Sequence, residues 1–376
     1  MKIALIGAGG FIGNRIVEQL HLDTAHSVVP IVRKPYRLAL PARFDLEWRI
    51  GDALDAASLA PALTGCDAVI HAALGDPRQI EAMPAILAAA AQTAGVKRLV
   101  YLSTASVHGQ APARGTTETS PLHTAHAMDY NNAKVRAEQN FFRECARHQL
   151  TGFALRPGVV YGPRSRWITD LAQDLRLGQA WLFDGGSGIC NSIYVDNLGS
   201  AVISALTAPD AAAGPYLVGD HETVTWRDFY HTVATGLGLD PETIVQLDKF
   251  PSFKRSTSAQ VRRMVASPGV QRLLPFIPGS LKRTTKNLLA AAQNPPNANA
   301  WRLPAAAAPR VTEELALLQQ CVWKFPHQHA MDQIGYQPRV SFADAITRSL
   351  AWFAFAEGRD SSRSPSSPNP SIPAHP

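Results

Sequence analysis

The chain has 376 residues, of which 46% are hydrophobic and 18% are charged, and this composition excludes a wholly disordered chain and a coiled coil. Its formal net charge of +6 favours an acidic partner: a phosphate, a nucleotide, a nucleic acid or an anionic membrane surface. The four cysteines are too scattered for a disulfide framework or a zinc knuckle. No run of about 18 apolar residues occurs, so we expect no transmembrane helix and a cytoplasmic location.

Apolar strands and amphipathic helices alternate over the first 160 residues. The predicted strands are 2–6, 27–32, 46–50, 68–70, 98–102 and 153–156. The predicted helices are 11–21, 80–94 and 128–148. Continuous apolar strands separated by helices are typical of a parallel sheet that is covered on both faces. The pattern therefore predicts an α/β fold with a doubly wound parallel sheet over residues 1–160.

The pattern loosens after residue 160, where a smaller C-terminal substrate-binding region over residues 161–357 is expected, with strands or helices that can return to the main sheet. Its predicted short strands are near 181–183, 191–195 and 215–218. Its predicted helices are near 165–177, 196–207, 225–237 and 341–356. Residues 358–376 are rich in Ser and Pro and are expected to form a disordered tail.

Three glycines, Gly7, Gly10 and Gly13, lie between the first predicted strand and the first predicted helix. Glycines at such a turn let the backbone approach a pyrophosphate, which then lies at the N-terminus of the helix. A plain tight turn is the alternative, but the position between a strand and a helix favours dinucleotide binding.

The second strand ends at Arg33, about twenty residues beyond the glycine turn, where an NAD-binding domain places a carboxylate against the ribose 2′-hydroxyl. An arginine pairs instead with a 2′-phosphate, so NADP(H) is favoured over NAD(H) as the cofactor. The alternative is a solvated arginine at the end of a strand. Asp52, after the third strand, either accepts a hydrogen bond from the adenine amino group or caps the following helix.

Tyr130 and Lys134 are four residues apart at the start of a predicted helix and therefore share one face. An ammonium near a phenol favours the phenolate, so Lys134 is expected to make Tyr130 a usable acid/base near neutral pH. Thr104 follows the fifth strand, at the sheet edge where open α/β sheets bind ligands. It is placed to hydrogen-bond a substrate oxygen, or it simply ends the strand.

Together these features resemble the extended short-chain dehydrogenase/reductase superfamily, which contains NAD(P)-dependent epimerases and dehydratases. The resemblance covers residues 1–240 and returns at 334–342. Its landmarks, in family order, are the glycine turn, His71-Ala72-Ala73, the strand that ends at Thr104, Tyr130-x-x-x-Lys134, Arg156-Pro157-Gly158-Val159-Val160-Tyr161-Gly162-Pro163 and Ile193-Tyr194-Val195-Asp196-Asn197. The resemblance implies a Rossmann-type sheet with a smaller C-terminal substrate-binding region.

The resemblance also implies roles for individual residues. Thr104 would be the catalytic Ser/Thr and Tyr130 the general acid/base, while Lys134 would lower the pKa of the tyrosine and bind the nicotinamide ribose. The implied reaction is hydride transfer at a secondary alcohol or ketone of a small-molecule substrate. The expected cofactor site comprises Gly7, Gly10, Phe11, Ile12, Gly13, Arg33, Asp52, Ala53, Ala72, Ala73, Tyr130, Lys134, Pro157, Val159 and Val160.

Departures from the family pattern favour an oxidoreductase acting on a ketone or alcohol. Val159 stands where many nucleotide-sugar enzymes have Asn, and the helix that usually offers a structural Asn to the active site has Gln79 as its nearest amide. A nucleotide-sugar epimerase or dehydratase stays an alternative, and so does a non-catalytic NADP(H)-binding regulatory protein. The complete set of Thr104, Tyr130 and Lys134 argues for the enzyme, because a regulator does not need it.

Other residues have two interpretations each. His123 and His126 suit a polar loop better than a metal site, and no metal is expected. Trp167, Trp181 and Phe183 belong to the core or line an aromatic substrate pocket.

The segment 249–286 contains nine Lys and Arg and no Asp or Glu, within an insertion at 249–310. It is interpreted as a lid with solvated charges, as a peripheral membrane contact through 249–290, or as a surface for a partner or anionic substrate. Nucleic acid is not an expected partner, because aromatic residues are not interleaved with the charges. Relatives often pair through the helices at 80–94 and 128–148, which implies a homodimer.

Overall fold

The computed structural model describes residues 1–208, 212–253 and 308–358. Within them the strands are β1 (Lys2–Ile6), β2 (Ser27–Val32), β3 (Arg49–Ile50), β4 (Ala68–His71), β5 (Arg98–Leu102), β6 (Thr151–Pro157), β7 (Val159–Tyr161), β8 (Trp181–Phe183), β9 (Ile189–Cys190), β10 (Ser192–Tyr194), β11 (Gly214–Val218), β12 (Val224–Thr225) and β13 (Val245–Leu247). The α-helices are α1 (Phe11–Asp23), α2 (Ala56–Leu63), α3 (Pro77–Ala94), α4 (Asp129–His148), α5 (Arg166–Arg176), α6 (Val195–Thr207), α7 (Trp226–Gly236), α8 (Glu313–Gln319), α9 (Gln328–Ile334) and α10 (Phe342–Ala356).

Seven strands form one parallel sheet in the order β11, β6, β5, β4, β1, β2, β3. The order reverses at β1, which pairs with β2 on one side and with β4 on the other. Ile6, at the end of β1, lies opposite Ile31 of β2 and His71 of β4. Ligands of open α/β sheets bind beyond the carboxyl ends of the strands at such a reversal. The α/β Rossmann-type fold is thereby confirmed.

Both faces of the sheet are buried, because successive side chains of a strand point to opposite sides. Ile3 and Leu5 of β1 pack into a core shared with α1 and α6. Ala4 and Ile6 pack into a second core shared with α2, α3 and α4.

The smaller region has a third apolar core, built from β7, α5, α7 and α10. Three two-stranded pairs lie beside the main sheet: β10 with β7, β12 with β9, and β13 with β8. Trp226 of α7 is buried in this core, and its indole Nε1 donates a hydrogen bond to the carbonyl oxygen of Leu318, 3.1 Å away.

The strand near 215–218 returns to the main sheet, which the sequence prediction allowed for: β11 pairs in parallel with β6 as the outermost strand, with Tyr216 opposite Leu155. One expectation from the sequence differs from the structure. The third strand is limited to two residues, since only Arg49 and Ile50 pair with β2. In the part of the chain that the structure describes, no helix has the length and apolar character needed to cross a membrane.

The basic segment falls almost wholly outside the described residues, which include only Lys249 of its nine basic residues. The interpretations of residues 249–290 as a lid, a membrane contact or a partner surface therefore stay predictions. The tail at 359–376 also lies outside the described residues.

Candidate active site

Glycines of the turn after β1 pack closely against neighbouring backbone, where a side chain would not fit. Gly7 has a φ of +90°, and a Cβ atom there would lie 2.7 Å from the backbone of Ala72 and Ala73. A Cβ atom at Gly9 would lie 2.4 Å from the carbonyl oxygen of Arg37. Helix α1 begins directly after Gly10, which has no side chain that could cap the first N–H groups of the helix. These features fit a dinucleotide whose pyrophosphate lies against the turn and the helix N-terminus.

A cleft of about 570 Å³ lies over this turn and over the ends of β1, β2 and β4. It is lined by the predicted cofactor residues Gly7, Gly10, Phe11, Ile12, Gly13, Arg33, Asp52, Ala53, Ala72 and Ala73. The fold therefore brings these ten predicted residues, which are dispersed over the first 73 positions, together around one cleft.

Three exposed cations line the cleft beyond the end of β2: Arg33, Lys34 and Arg37. Arg37 belongs to a short 3₁₀ turn at Pro35–Leu38, and its guanidinium lies 5.4 Å from the ring centroid of Tyr36. The sequence reasoning identified Arg33 but missed Arg37, because the approach of the 3₁₀ turn to Gly9 is a tertiary contact. The group of cations provides the positive charge that a 2′-phosphate would need.

Asp52 does not cap the following helix. Asp55 holds that position, and its carboxylate accepts a hydrogen bond from Ala57 N at 3.0 Å. Asp52 instead accepts a hydrogen bond from Leu54 N at 3.0 Å and faces the cleft. Its carboxylate is therefore available for an adenine amino group.

A second cavity, of about 650 Å³, contains Thr104 and Tyr130 in its wall. Thr104 is buried at the end of β5, and Tyr130 lies in the first turn of α4. The two hydroxyl groups are joined by a hydrogen bond, which lowers the pKa of Tyr130, but burial acts more strongly and raises it to about 12. The phenol is therefore neutral at physiological pH and carries a proton that it can donate.

Lys134 lies one turn further along α4 and is buried under the sheet edge. Its ammonium donates a hydrogen bond to the carbonyl oxygen of Leu102 at 2.9 Å and lies 5.1 Å from the ring centroid of Tyr101. Burial lowers the pKa of Lys134 to about 8, while the Glu138 carboxylate acts in the opposite direction. The net pKa shift of Tyr130 is thus opposite to the one expected from the sequence, because burial outweighs any neighbouring positive charge.

A buried ion pair fixes α4 against the end of β5. Arg156 of β6 pairs with Glu138 of α4, and both side chains are at most 3% exposed. The Glu138 carboxylate also accepts a hydrogen bond from the Ser103 hydroxyl at 2.5 Å. Arg156 donates to the Nε2 atom of His108 at 3.1 Å, and burial lowers the pKa of this histidine to about 3, which leaves the ring nitrogen free to accept. The network holds the backbone next to Thr104 in place, and no local sequence pattern predicts it, because its members come from three separate parts of the chain.

Apolar side chains form most of the remaining cavity wall. They come from distant parts of the sequence: Leu74, Met128, Val159, Val160, Trp167, Ile189, Trp226, Leu318 and Phe325. Phe11, Ile12 and Leu74 line this cavity and the first cleft as well. The predicted Val159 and Val160 line this second cavity, and their role beside the nicotinamide stays a prediction.

Several predicted residues lie elsewhere. Lys134 and Pro157 are not among the residues that line either cavity. Trp181 belongs to the core, where its Nε1 donates to the carbonyl oxygen of Arg310 at 3.0 Å, whereas Trp167 lines the second cavity. Gln79 caps the N-terminus of α3 by accepting from Asp76 N and also lines the first cleft.

The two loop histidines lie side by side, with ring centroids 4.2 Å apart. His126 makes a hydrogen bond through Nε2 to the carbonyl oxygen of Val107 at 3.1 Å. Within residues 1–208, 212–253 and 308–358, no group of three or more metal-ligating side chains occurs around them or elsewhere. The hydrogen bond between His126 and Val107 fastens the loop before Tyr130 to the turn after Thr104.

Comparison with known proteins gives a consistent result. A family model described as the NAD dependent epimerase/dehydratase family matches residues 3–219. A 2-alkyl-3-oxoalkanoate reductase of Stenotrophomonas maltophilia is 29% identical over 272 residues, which are 68% of this chain and 79% of that protein. A UDP-glucose 4-epimerase of Vibrio cholerae is 24% identical over 254 residues, which are 63% of this chain and 76% of that protein.

Solved structures share the fold. A double mutant of DesIV, a dTDP-glucose 4,6-dehydratase from Streptomyces venezuelae with NAD and DAU bound, matches with a TM-score of 0.67 and 21% identity. The match covers 95% of this chain and 98% of that chain. The main sheet and the smaller region therefore follow an architecture that is already known from nucleotide-sugar enzymes.

Proposed function

Because the chain belongs to the NAD dependent epimerase/dehydratase family, within the extended short-chain dehydrogenases/reductases, we propose that it is an NADP(H)-dependent reductase of ketones with an apolar body. One observation carries the proposal: a neutral tyrosine, hydrogen-bonded to a threonine, lies in the wall of an apolar cavity that shares residues with a dinucleotide cleft.

The residues around the cleft fit a dinucleotide. The turn at Gly7–Gly13 would hold the pyrophosphate, Arg33 and Arg37 would hold a 2′-phosphate, and Val159 and Val160 would border the nicotinamide. When bound, this cofactor would supply the hydride.

The chain itself supplies the proton. Tyr130 donates its phenolic proton to the carbonyl oxygen while the carbonyl carbon gains the hydride, so that a secondary alcohol forms. Thr104 donates a hydrogen bond to the reacting oxygen or orients the phenol, and the tyrosine then regains a proton from water. Because burial raises the pKa of Tyr130, the phenol is protonated at neutral pH, which is the form that a general acid for ketone reduction needs.

The apolar wall favours a ketone over a sugar. Aromatic and aliphatic side chains such as Trp167, Trp226 and Phe325 offer no hydrogen bonds to sugar hydroxyl groups, which would have partners only at the polar part of the wall, such as Gln110, Asn131 and Asn191. A nucleotide-sugar epimerase is the second candidate, supported by the similar UDP-glucose 4-epimerase. Conversion of UDP-glucose to UDP-galactose without added NADPH would select that candidate.

The substitution Tyr130→Phe tests the proposed function. The probes are methyl 3-oxooctanoate and other uncharged apolar ketones, chosen because a similar protein is named as a 3-oxoalkanoate reductase. Loss of the proton donor is expected to lower kcat by about 10²- to 10⁴-fold, measured as NADPH oxidation.

NADPH affinity of the same variant serves as the control, and it is expected to stay within about twofold, because the pyrophosphate and 2′-phosphate contacts are unchanged. If Tyr130→Phe reduces the ketones at the unmutated rate, Tyr130 is not the proton donor. A non-catalytic NADP(H)-binding protein would bind NADPH in both forms and turn over none of the probes.

A further inference from the structure

Arg164 lies in the wall of the substrate cavity in a conformation that few arginines adopt. It follows β7 and precedes α5, and its φ of +73° is in the left-handed region. For a non-glycine residue this conformation is strained, and such strain is concentrated at functional sites. The side chain is half-buried and lines the cavity that contains Thr104 and Tyr130.

Arg164 also lines a neighbouring cavity in which every other arginine has a carboxylate partner. Arg15 binds Asp196 through two hydrogen bonds of 2.6 and 2.8 Å and contacts Glu18 at 2.9 Å. The remaining two arginines share these same carboxylates: Arg43 pairs with Glu18, and Arg348 lies 3.8 Å from Asp196.

The two carboxylates of this cavity thus pair with three of its arginines, and neither pairs with Arg164. Among the residues that the structure describes, the side chain of Arg164 forms no ion pair and no hydrogen bond. Burial lowers the pKa of Arg164, and the neighbouring positive charge of Arg43 lowers it further. A half-buried guanidinium next to a like charge is costly unless an anion compensates it.

Among the described residues, the substrate cavity does not supply that anion. The one carboxylate that they contribute to the wall is Glu314, which pairs with Arg166 at 3.4 Å. These two charges cancel, so the described part of the wall has one uncompensated positive charge, that of Arg164, among apolar and neutral polar side chains.

We propose that Arg164 determines substrate specificity by binding a carboxylate at one end of the substrate, while the apolar wall holds a hydrocarbon body. The substrate class is then a keto acid. A guanidinium suits a carboxylate because it can form two parallel hydrogen bonds with it. The inference rests on the proposed function, since it concerns the cavity in which Tyr130 acts.

The first test measures binding without turnover. Octanoate and octanamide are titrated into the protein–NADP⁺ complex by calorimetry; the two probes have the same shape and differ in charge. The unmutated protein is expected to bind octanoate about tenfold or more tightly than octanamide. Arg164→Gln is expected to abolish this preference and Arg164→Lys to retain part of it.

Arg143→Gln is the matched control, because Arg143 is on the same helix as Tyr130, its side chain is 65% exposed, and it lines none of the three cavities. It is expected to keep the octanoate preference. Equal affinities for octanoate and octanamide in the unmutated protein would overturn the inference. It would also be overturned if Arg164→Gln weakens NADPH binding, or if UDP binds more tightly than octanoate and depends on Arg164, because the cation would then serve the cofactor or a diphosphate.

The second test separates this inference from the proposed function. The kcat/KM for 3-oxooctanoate is expected to fall at least about tenfold in Arg164→Gln, while that for methyl 3-oxooctanoate changes little. If the ester is reduced but octanoate shows no preference over octanamide, ketone reduction holds and the role of Arg164 fails. If octanoate shows the Arg164-dependent preference but neither ketone is reduced, the carboxylate site holds and the proposed function fails.

Discussion

Tyr130 and Lys134, one helical turn apart on α4, have pKa shifts of opposite direction from the same cause. Burial disfavours the charged form of each side chain, so it raises the pKa of the tyrosine to about 12 and lowers that of the lysine to about 8. At pH 7 the site therefore contains a neutral phenol and a lysine that is still largely charged. Only the lysine titrates near the physiological range.

Activity is expected to fall above pH 8 because Lys134 loses its proton there. The kcat/KM for NADPH, which reports the free enzyme, should decrease by about tenfold for each pH unit above this value. This fall in kcat/KM above pH 8 should be absent from the residual activity of Lys134→Gln. The same fall in Lys134→Gln, or a flat pH profile of the unmutated protein up to pH 10, would show that another group controls the reaction.

Unfolding does not explain this decrease in activity above pH 8. The pKa of an unfolded lysine is about 10.4, so between about pH 8 and pH 10 the unfolded chain binds more protons at this residue than the folded chain does. The contribution of Lys134 to folding stability therefore rises with pH in the window where activity falls. A denaturation series over this range separates the two effects.

Individual site residues were predictable from the sequence where a local pattern carries the chemistry. The glycine turn and the pair Tyr130 and Lys134 are of this kind, because a few consecutive residues define them. Arg164, Trp226 and Phe325 were missed, because backbone strain and tertiary packing bring them to the cavity from three separate elements. The pKa direction of Tyr130 was also beyond the sequence, since it depends on burial.

At the scale of elements, the end of β2 and the following 3₁₀ turn act together. Arg33 ends the strand, and the turn at Pro35–Leu38 places Arg37 against the same cleft. The packing of Gly9 against the Arg37 backbone joins the turn to the pyrophosphate loop. Cofactor preference is thus a property of two packed loops.

The unmutated protein is expected to bind NADPH more tightly than NADH. Arg33→Ala and Arg37→Ala should each weaken NADPH binding by about tenfold or more, because each removes a charge-assisted hydrogen bond to the 2′-phosphate. NADH affinity in the same variants is the control and should change little. Equal affinities for NADPH and NADH in the unmutated protein would rule out the 2′-phosphate assignment.

Most elements of the main sheet were predictable because their strands are continuous apolar runs. The place of β11 in the sheet could not be predicted from the sequence, since its partner β6 is distant in sequence and only the crossover through α6 brings them together. The helix α2 was expected only as the helix after Asp52, without bounds, and α8 and α9 were not predicted; the three helices have eight, seven and seven residues, too short for a helical periodicity to stand out.

At the scale of the whole molecule, net charge is a poor guide to the site. Without the nine basic residues of 249–286, the chain has 27 Lys and Arg against 30 Asp and Glu, a net charge of −3. Within the described residues, the positive charge that matters for ligands is local: three cations at the cofactor cleft and one uncompensated arginine at the substrate cavity. The main sheet supplies the first group, and the turn into the smaller region supplies the second.

The central claim is that these two cavities together perform hydride transfer to a ketone. Its most direct test uses NADPH with deuterium at both C4 positions and the panel of apolar ketones that includes methyl 3-oxooctanoate. Mass spectrometry should find one deuterium at the new carbinol carbon, in equal amounts with the oxidised cofactor. Absence of deuterated alcohol from every ketone, with NADPH bound and unconsumed, would contradict the claim.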